Sequence, residues 1–277
     1  MKKLFVGVLW VALSLSVQGK EVNMTSPDGK YQFTLSDSGG QLHYSLTWNG
    51  KQTVKPSLLG INANVEWRDG VEIGTVDSSR KDTIWHPVYG ERSEIKDCYN
   101  AWKILVNRQN GRDKLVLDIR AYDEGIAFRY HFPGGQYLKI TDEYTEYTMP
   151  EGTKAYFTPK AQTPYSYLPL ENWPGESDRP LLPLAGGGYV CLAEAQVVDY
   201  VRTKFNVSST KKNTIISAMY GPVEDIAPYS TPWRVIMCAD KPGEILEHND
   251  ILLNLNPPCR IKDTSWIKPG KVMREVT

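Results

Sequence analysis

The chain has 277 residues, 41% of them hydrophobic and 23% charged, enough apolar mass for one large domain or two ordinary ones and too much for a disordered chain. Lysine plus arginine and aspartate plus glutamate number 32 each, so nothing marks the basic face that nucleic-acid phosphates would require. Eight Trp and sixteen Tyr are core material, and the same rings stack on sugars with a polar tip left free.

Residues 1–19 read as a signal peptide. Lys2 and Lys3 precede the apolar run LFVGVLWVALSLSV (4–17), and Val17 and Gly19 put small residues before a cleavage after Gly19. The run is shorter than the roughly 20 residues that cross a bilayer, so no membrane span is expected. Export to a periplasm or out of the cell is expected, and loss of the two lysines leaves the remainder slightly acidic. Cys98, Cys191, Cys238 and Cys259 lie far apart without a CxxC, which predicts separate, mostly buried thiols rather than a zinc site.

From there the pattern is β almost throughout. Residues 31–35, 43–48, 103–107, 114–122, 126–132, 189–193, 214–219 and 233–238 alternate or run apolar at strand length. Asn49-Gly50 and Asn110-Gly111 are hairpin turns by composition, and Gly186-Gly187-Gly188 is another turn. Residues 160–188, rich in Pro and Gly, read as one long irregular segment of the kind that carries function. A single short helix is expected over 242–249. The fold class is therefore all-β, a stack of antiparallel sheets. The tail, with Pro257-Pro258 and then Trp266-Ile-Lys-Pro-Gly270, reads as a linker running toward a new strand.

Three stretches could carry chemistry. TIWHPVYGERSEIKDCYNAW (83–102) has Trp85 as a sugar platform and Glu91 as a carboxylate at a pocket. Its competing reading is a solvated strand, with Arg92, Glu94 and Lys96 outward and Trp85 and Trp102 in the core. Glu91 and Glu94 are too local to straddle a glycosidic bond. The loop TPYSYLPLENWPGESDR (163–179) has the ring of Trp173 and enough oxygen to offer a ligand to a hard cation, against the competing reading of an ordered loop with surface acids. Glu194 closes an apolar strand, where an acid is costly unless paired, and is expected to be a structural partner of an arginine or of backbone amides. The four His show no ligand spacing, and no nucleophile or nucleotide-binding motif is present.

Seven runs together resemble the N-terminal domain of glycoside hydrolase family 97, the α-glucosidase and α-galactosidase family of Bacteroidetes. They are SPDGKYQFTLS (26–36), LHYSLTWNGKQTVKPSLLG (42–60), WHPVYGERSEIKDCYNA (85–101), DEGIAFRYHFP (123–133), YVCLAEAQVVDY (189–200), TPWRVIMCAD (231–240) and LNLNPPCRIKDTSWIKPGK (253–271). The resemblance implies a β-super-sandwich like that of galactose mutarotases over 20–262. It also implies that 263–277 are a linker and the start of a (β/α)8 catalytic barrel, with that barrel and a C-terminal domain following. It places the acid and the nucleophile or base in the barrel, so no catalytic residue is expected here and the chain alone is expected to be inactive. It further implies Ca²⁺, with a carboxylate ligand from the loop after 155–159. Ser166 stands where that acid should be, and Glu171, five residues on, is the substitute. Trp85, Glu91 and Trp173 are the residues expected along the cleft wall that faces an oligosaccharide. The alternative is a free-standing carbohydrate-binding or mutarotase-like sandwich, in which His86 or His131 would pair with Glu194 across a sugar.

Overall fold

The structure, a computed structural model, describes residues 19–109 and 111–273. The expected leader and the first half of the Asn110-Gly111 turn lie outside the described residues. Of the described residues 52% are strand and 7% helix, which fixes the class as all-β and sandwich-like.

Among the described residues every strand pairing is antiparallel, in three sheets. A seven-stranded sheet runs Glu21–Thr25, Tyr31–Ser36, Leu42–Trp48, Lys51–Leu59, Glu146–Thr148, Thr214–Met219, Thr203–Val207. A larger sheet runs Ser166–Pro169, Lys154–Phe157, Leu182–Ala185, Gly188–Ala195, Trp233–Ala239, Gly125–Phe132, Leu115–Tyr122, Ile95–Arg108, Val71–Trp85, with Tyr229–Ser230 as a short tenth member. A four-stranded sheet of Val223–Ile226, Tyr137–Glu143, Ile61–Ala63 and Val65–Glu66 completes the set.

Strict alternation explains the inner layer. Along Leu42–Trp48 every second residue is buried, so Leu42, Tyr44, Leu46 and Trp48 face inward. Asn49 and Gly50 both take positive φ, 50° and 73°, which is the type I′ turn that the hairpin twist favours. Phe33 stacks on Tyr44 at 5.1 Å, and Phe128 of the larger sheet sits 5.4 Å from Tyr44 and 6.0 Å from Phe33. This aromatic knot joins the two sheets. The Tyr31 hydroxyl pins them again: it accepts from the Cys238 amide at 2.7 Å and lies 3.0 Å from the Glu124 carbonyl.

Three charged side chains are buried at the junction of all three sheets. Arg234, 1% exposed, donates to Glu143 at the end of Tyr137–Glu143 and to Glu194 on the neighbouring strand. Arg179 also pairs with Glu194, Thr203 of the seven-stranded sheet donates to it at 2.7 Å, and Tyr200 donates to Glu143 at 3.1 Å. Glu194 thus has the structural role expected of it.

The larger sheet has a second covered face. Ile236 and Cys238 belong to the inter-sheet core, while Trp233, Val235 and Met237 point the other way, into a cluster with Tyr99, Tyr122, Ile251 and Leu255. The cover is two short helices, Pro242–Glu247 and Asp250–Asn254, where one was expected; the chain leaves helical geometry at His248. Residues 160–188 are also more ordered than expected. They contain Ser166–Pro169, a 3-10 turn Leu170–Asn172 and Leu182–Ala185, because backbone pairing to Lys154–Phe157 on both sides organises a Pro-rich segment that has no apolar period. Among the described residues beyond Asn256 no helix or strand forms. The four thiols are unpaired, three buried and Cys259 exposed.

Candidate functional site

The outer face of the larger sheet carries the first of the stretches singled out in the sequence, residues 83–102. Its far edge is a long hairpin of Val71–Trp85 and Ile95–Arg108, paired from Val71↔Arg108 to Trp85↔Ile95 with one register shift between Ile73 and Val76. The strand therefore starts at Ile95. Arg92 and Glu94 lie in the connection before it, beside Glu91, so of the charged face that one reading drew only Lys96 is on the strand.

That connection holds the C-terminal helices. The Trp85 indole N–H donates to Asn254 at 2.8 Å, and Asn254 donates to the Lys96 carbonyl at 2.8 Å. Arg92 donates to Asp250 at 2.6 Å, to Asn249 at 2.8 Å and to the Glu247 carbonyl at 3.0 Å, closing both helix ends with one planar fork. Nothing in the sequence marked Arg92 as different from its charged neighbours. Trp85 and Glu91 line a hollow of about 250 Å³ with Tyr89 and Leu253, so these two expected residues do come together. A larger cleft, about 510 Å³ and also lined by Trp85, runs between the hairpin and Leu253–Cys259.

At the opposite edge of the same face lies an apolar hollow of about 310 Å³, lined by Tyr156, Tyr165, Leu182, Ile245 and Leu246 among others. Leu246 is 75% exposed and Tyr165 is 64% exposed, and Tyr156 packs on Tyr167 at 5.0 Å. Cys191 lines this hollow too; burial pushes its thiol up to about 12, so it stays protonated and is no nucleophile. Between the two edges Trp233 is flanked by Arg120 at 4.8 Å and Arg129 at 4.3 Å, and Arg129 is tied to Asp118 at 3.1 Å.

The loop residues stand elsewhere. Trp173 is half-buried, 5.3 Å from Phe157, and packs on the inter-sheet core; it shares no hollow with Trp85 or Glu91. Glu171 is exposed and lines a separate hollow of about 190 Å³ with Glu151 and Lys212. Among the described residues no three His, Cys, Asp or Glu side chains are grouped to hold a metal. Calcium takes six to eight oxygens, so these residues do not build its site by themselves.

Acid–base chemistry is equally incomplete. Burial works to raise Glu143, but the Arg234 guanidinium and the hydroxyls of Thr145 and Tyr200 outweigh it and hold the carboxyl below its ordinary value. Glu194 is held by Arg234, Arg179 and Thr203. His131 bonds Ser230 at 2.9 Å and His86 bonds the Ser93 carbonyl at 3.0 Å. Neither His is a recorded partner of Glu194, which leaves the mutarotase-like pairing without support.

Comparison with known proteins follows the same line. Residues 24–258 match the family model described as Glycosyl-hydrolase 97 N-terminal. A retaining alpha-galactosidase of Bacteroides thetaiotaomicron is 26% identical over 318 residues, covering 98% of this chain and 46% of that protein. A probable retaining alpha-galactosidase of Streptomyces bingchenggensis is 22% identical, over 90% of this chain and 39% of its own length. A solved glycoside hydrolase family 97 enzyme from Pseudoalteromonas sp. strain K8, in complex with acarbose, superposes with a TM-score of 0.83 at 26% identity, over 90% of this chain and 40% of that one. The chain thus spans less than half the length of the relatives it matches.

Proposed function

The chain belongs to the glycosyl-hydrolase 97 N-terminal family, and on that premise we propose that it is the non-catalytic N-terminal domain of an exported α-glycosidase. The whole enzyme would hydrolyse α-galactosidic or α-glucosidic bonds in oligosaccharides, in the periplasm or outside the cell. The observation that carries this is the match over 85% of the chain's length at less than half the length of its relatives.

In this reading the domain packs on a (β/α)8 barrel that follows Thr277 and helps to shape the substrate cleft. The apolar hollow at Tyr156, Tyr165 and Leu246 supports a docking role, because exposed apolar side chains gathered around a concavity are the usual mark of a covered surface. Trp85 and Glu91 form a cleft wall, and Trp173 braces its own loop against the inter-sheet core. Calcium enters only as a shared ion: Glu171, exposed and without an ion pair among the described residues, is the one carboxylate this domain would lend. No chemical step is assigned to this chain.

The test is to follow the reading frame past Thr277 and assay the longer product on aryl α-galactosides and α-glucosides. Hydrolysis by the longer product and none by residues 20–277 is expected. Turnover by residues 20–277 alone would overturn the non-catalytic assignment.

A further inference from the structure

We infer that removal of the leader after Gly19 makes a latch: the new α-ammonium of Lys20 pairs with Asp37 and, through it, pins the edge hairpin of the larger sheet. Asp37 follows the strand Tyr31–Ser36 and uses both carboxylate oxygens. Oδ1 accepts from the Lys20 backbone nitrogen at 2.5 Å, and Oδ2 accepts from the Ile73 amide at 2.7 Å. The Asp37 amide donates back to the Lys20 carbonyl at 3.2 Å. The Lys20 side chain makes the same crossing, its Nζ donating to the Gly74 carbonyl at 2.5 Å. Gly74 falls in the register shift between Ile73 and Val76, where pairing with Ile95–Arg108 is interrupted. One residue thus joins the seven-stranded sheet to Val71–Trp85.

In the uncut chain the Lys20 nitrogen is a neutral amide. A signal peptidase adds water across the Gly19–Lys20 bond. The carbon–nitrogen bond breaks, Gly19 leaves as a carboxylate, and both water protons end on the Lys20 nitrogen, which becomes an ammonium. The atom already at hydrogen-bond distance from Asp37 then carries a full positive charge, and a charge-assisted bond is roughly twice as strong as a neutral one. Asp37 is half-buried and Lys20 exposed, so solvent screening keeps the gain modest. Gly19 fits the same point. A Cβ on it would lie 2.8 Å from Asp37 Oδ1 and from the Ser38 backbone, so the uncut chain passes Asp37 only with glycine there. Glycine is also the small residue that a cleavage site needs.

The latch rests on the export proposed above and not on the glycosidase assignment. The test first expresses the whole chain in a Gram-negative host and reads the start of the periplasmic product by mass spectrometry; Lys20 is expected. Residues 20–277 and 19–277 are then compared by amide hydrogen exchange, since one added glycine moves the ammonium away from Asp37. Exchange at Ile73 is expected to be about threefold slower in 20–277, and the ratio should fall to about one in Asp37→Asn. In about 1 M salt the parent ratio should shrink likewise, which keeps the test decisive if Asp37→Asn fails to fold. A product that starts elsewhere, or a ratio that neither the substitution nor salt changes, removes the latch and leaves export standing. An uncut product removes both. Hydrolysis by the longer product decides the glycosidase reading separately.

Discussion

Two regions of this molecule use the same residue types to opposite ends. At the junction of the three sheets, Arg234, Glu143 and Glu194 are buried and answer one another, with Arg179, Thr203 and Tyr200 closing the network. On the outer face, Arg92 and Trp85 clamp two short helices, yet Leu246, Leu253, Tyr165 and Tyr89 stay exposed and Asp97 keeps an oxygen unpartnered. A polar group that is fully answered inside the fold stabilises and specifies that fold. Exposed apolar rings that the fold leaves uncovered point to a neighbour. The first region says how the domain stands; the second says what it meets.

The largest expected effect breaks the closed network. Arg234→Met strands two buried carboxylates and is expected to cost about 3–5 kcal/mol in urea unfolding. A loss under about 1 kcal/mol would show that water reaches the junction and that the network is not sealed.

Tyr31→Phe tests the other inter-sheet link. It leaves the buried Cys238 amide without its acceptor and is expected to cost about 1–3 kcal/mol, read in the same unfolding experiment. Arg92→Ala should act locally. Its pair with Asp250 is partly exposed, so a global loss of roughly 1 kcal/mol is expected, with faster hydrogen exchange over 250–255 and little change at Phe128. Equal acceleration everywhere would mean that the helices and the sandwich unfold as one unit.

Acidification separates the regions without a mutation. His131 is held below its ordinary value chiefly by burial, so the neutral form is favoured in the fold and its contribution fades as pH falls through about 6.5. Glu143 is also held low, by Arg234 against the effect of burial. Its contribution is present above the unfolded carboxylate value of about 4.3 and is lost as pH falls below it. Stability should therefore decline in two stages, and His131→Gln should shrink only the upper one, leaving the part due to His248, which burial also holds low.

The smallest effect on stability belongs to the outer face. Leu246→Lys is expected to change unfolding by no more than about 0.5 kcal/mol. It should nevertheless shift the isolated chain toward monomer in sedimentation velocity, because the exposed hollow is expected to drive self-association. Unchanged association would place the sticky surface elsewhere.

Much of the sandwich was legible in the residues. The alternation of Leu42–Trp48, the Asn49-Gly50 turn and the apolar run of Trp233–Ala239 are local patterns, and the sheet follows them. Val71–Trp85 was not legible: most of its length is exposed on an edge, so no apolar period marks it, and only pairing with Ile95–Arg108 makes it a strand. The site divided in the same way. Trp85 and Glu91, six positions apart, were expected together and are; Trp173, from a distant loop, was expected beside them and packs on the core instead.

By itself, then, the sequence determined the β class, the inward face of the regular strands and the paired fate of Glu194, since each depends on side chains alternating along a few neighbouring residues. Only the tertiary structure decided that Glu143 answers Arg234 across 91 positions, that Arg92 reaches Asp250 across 158, and that Asp97 turns one oxygen toward no partner. Those depend on which strands meet and in what register, and contacts so distant along the chain leave no periodic trace in it.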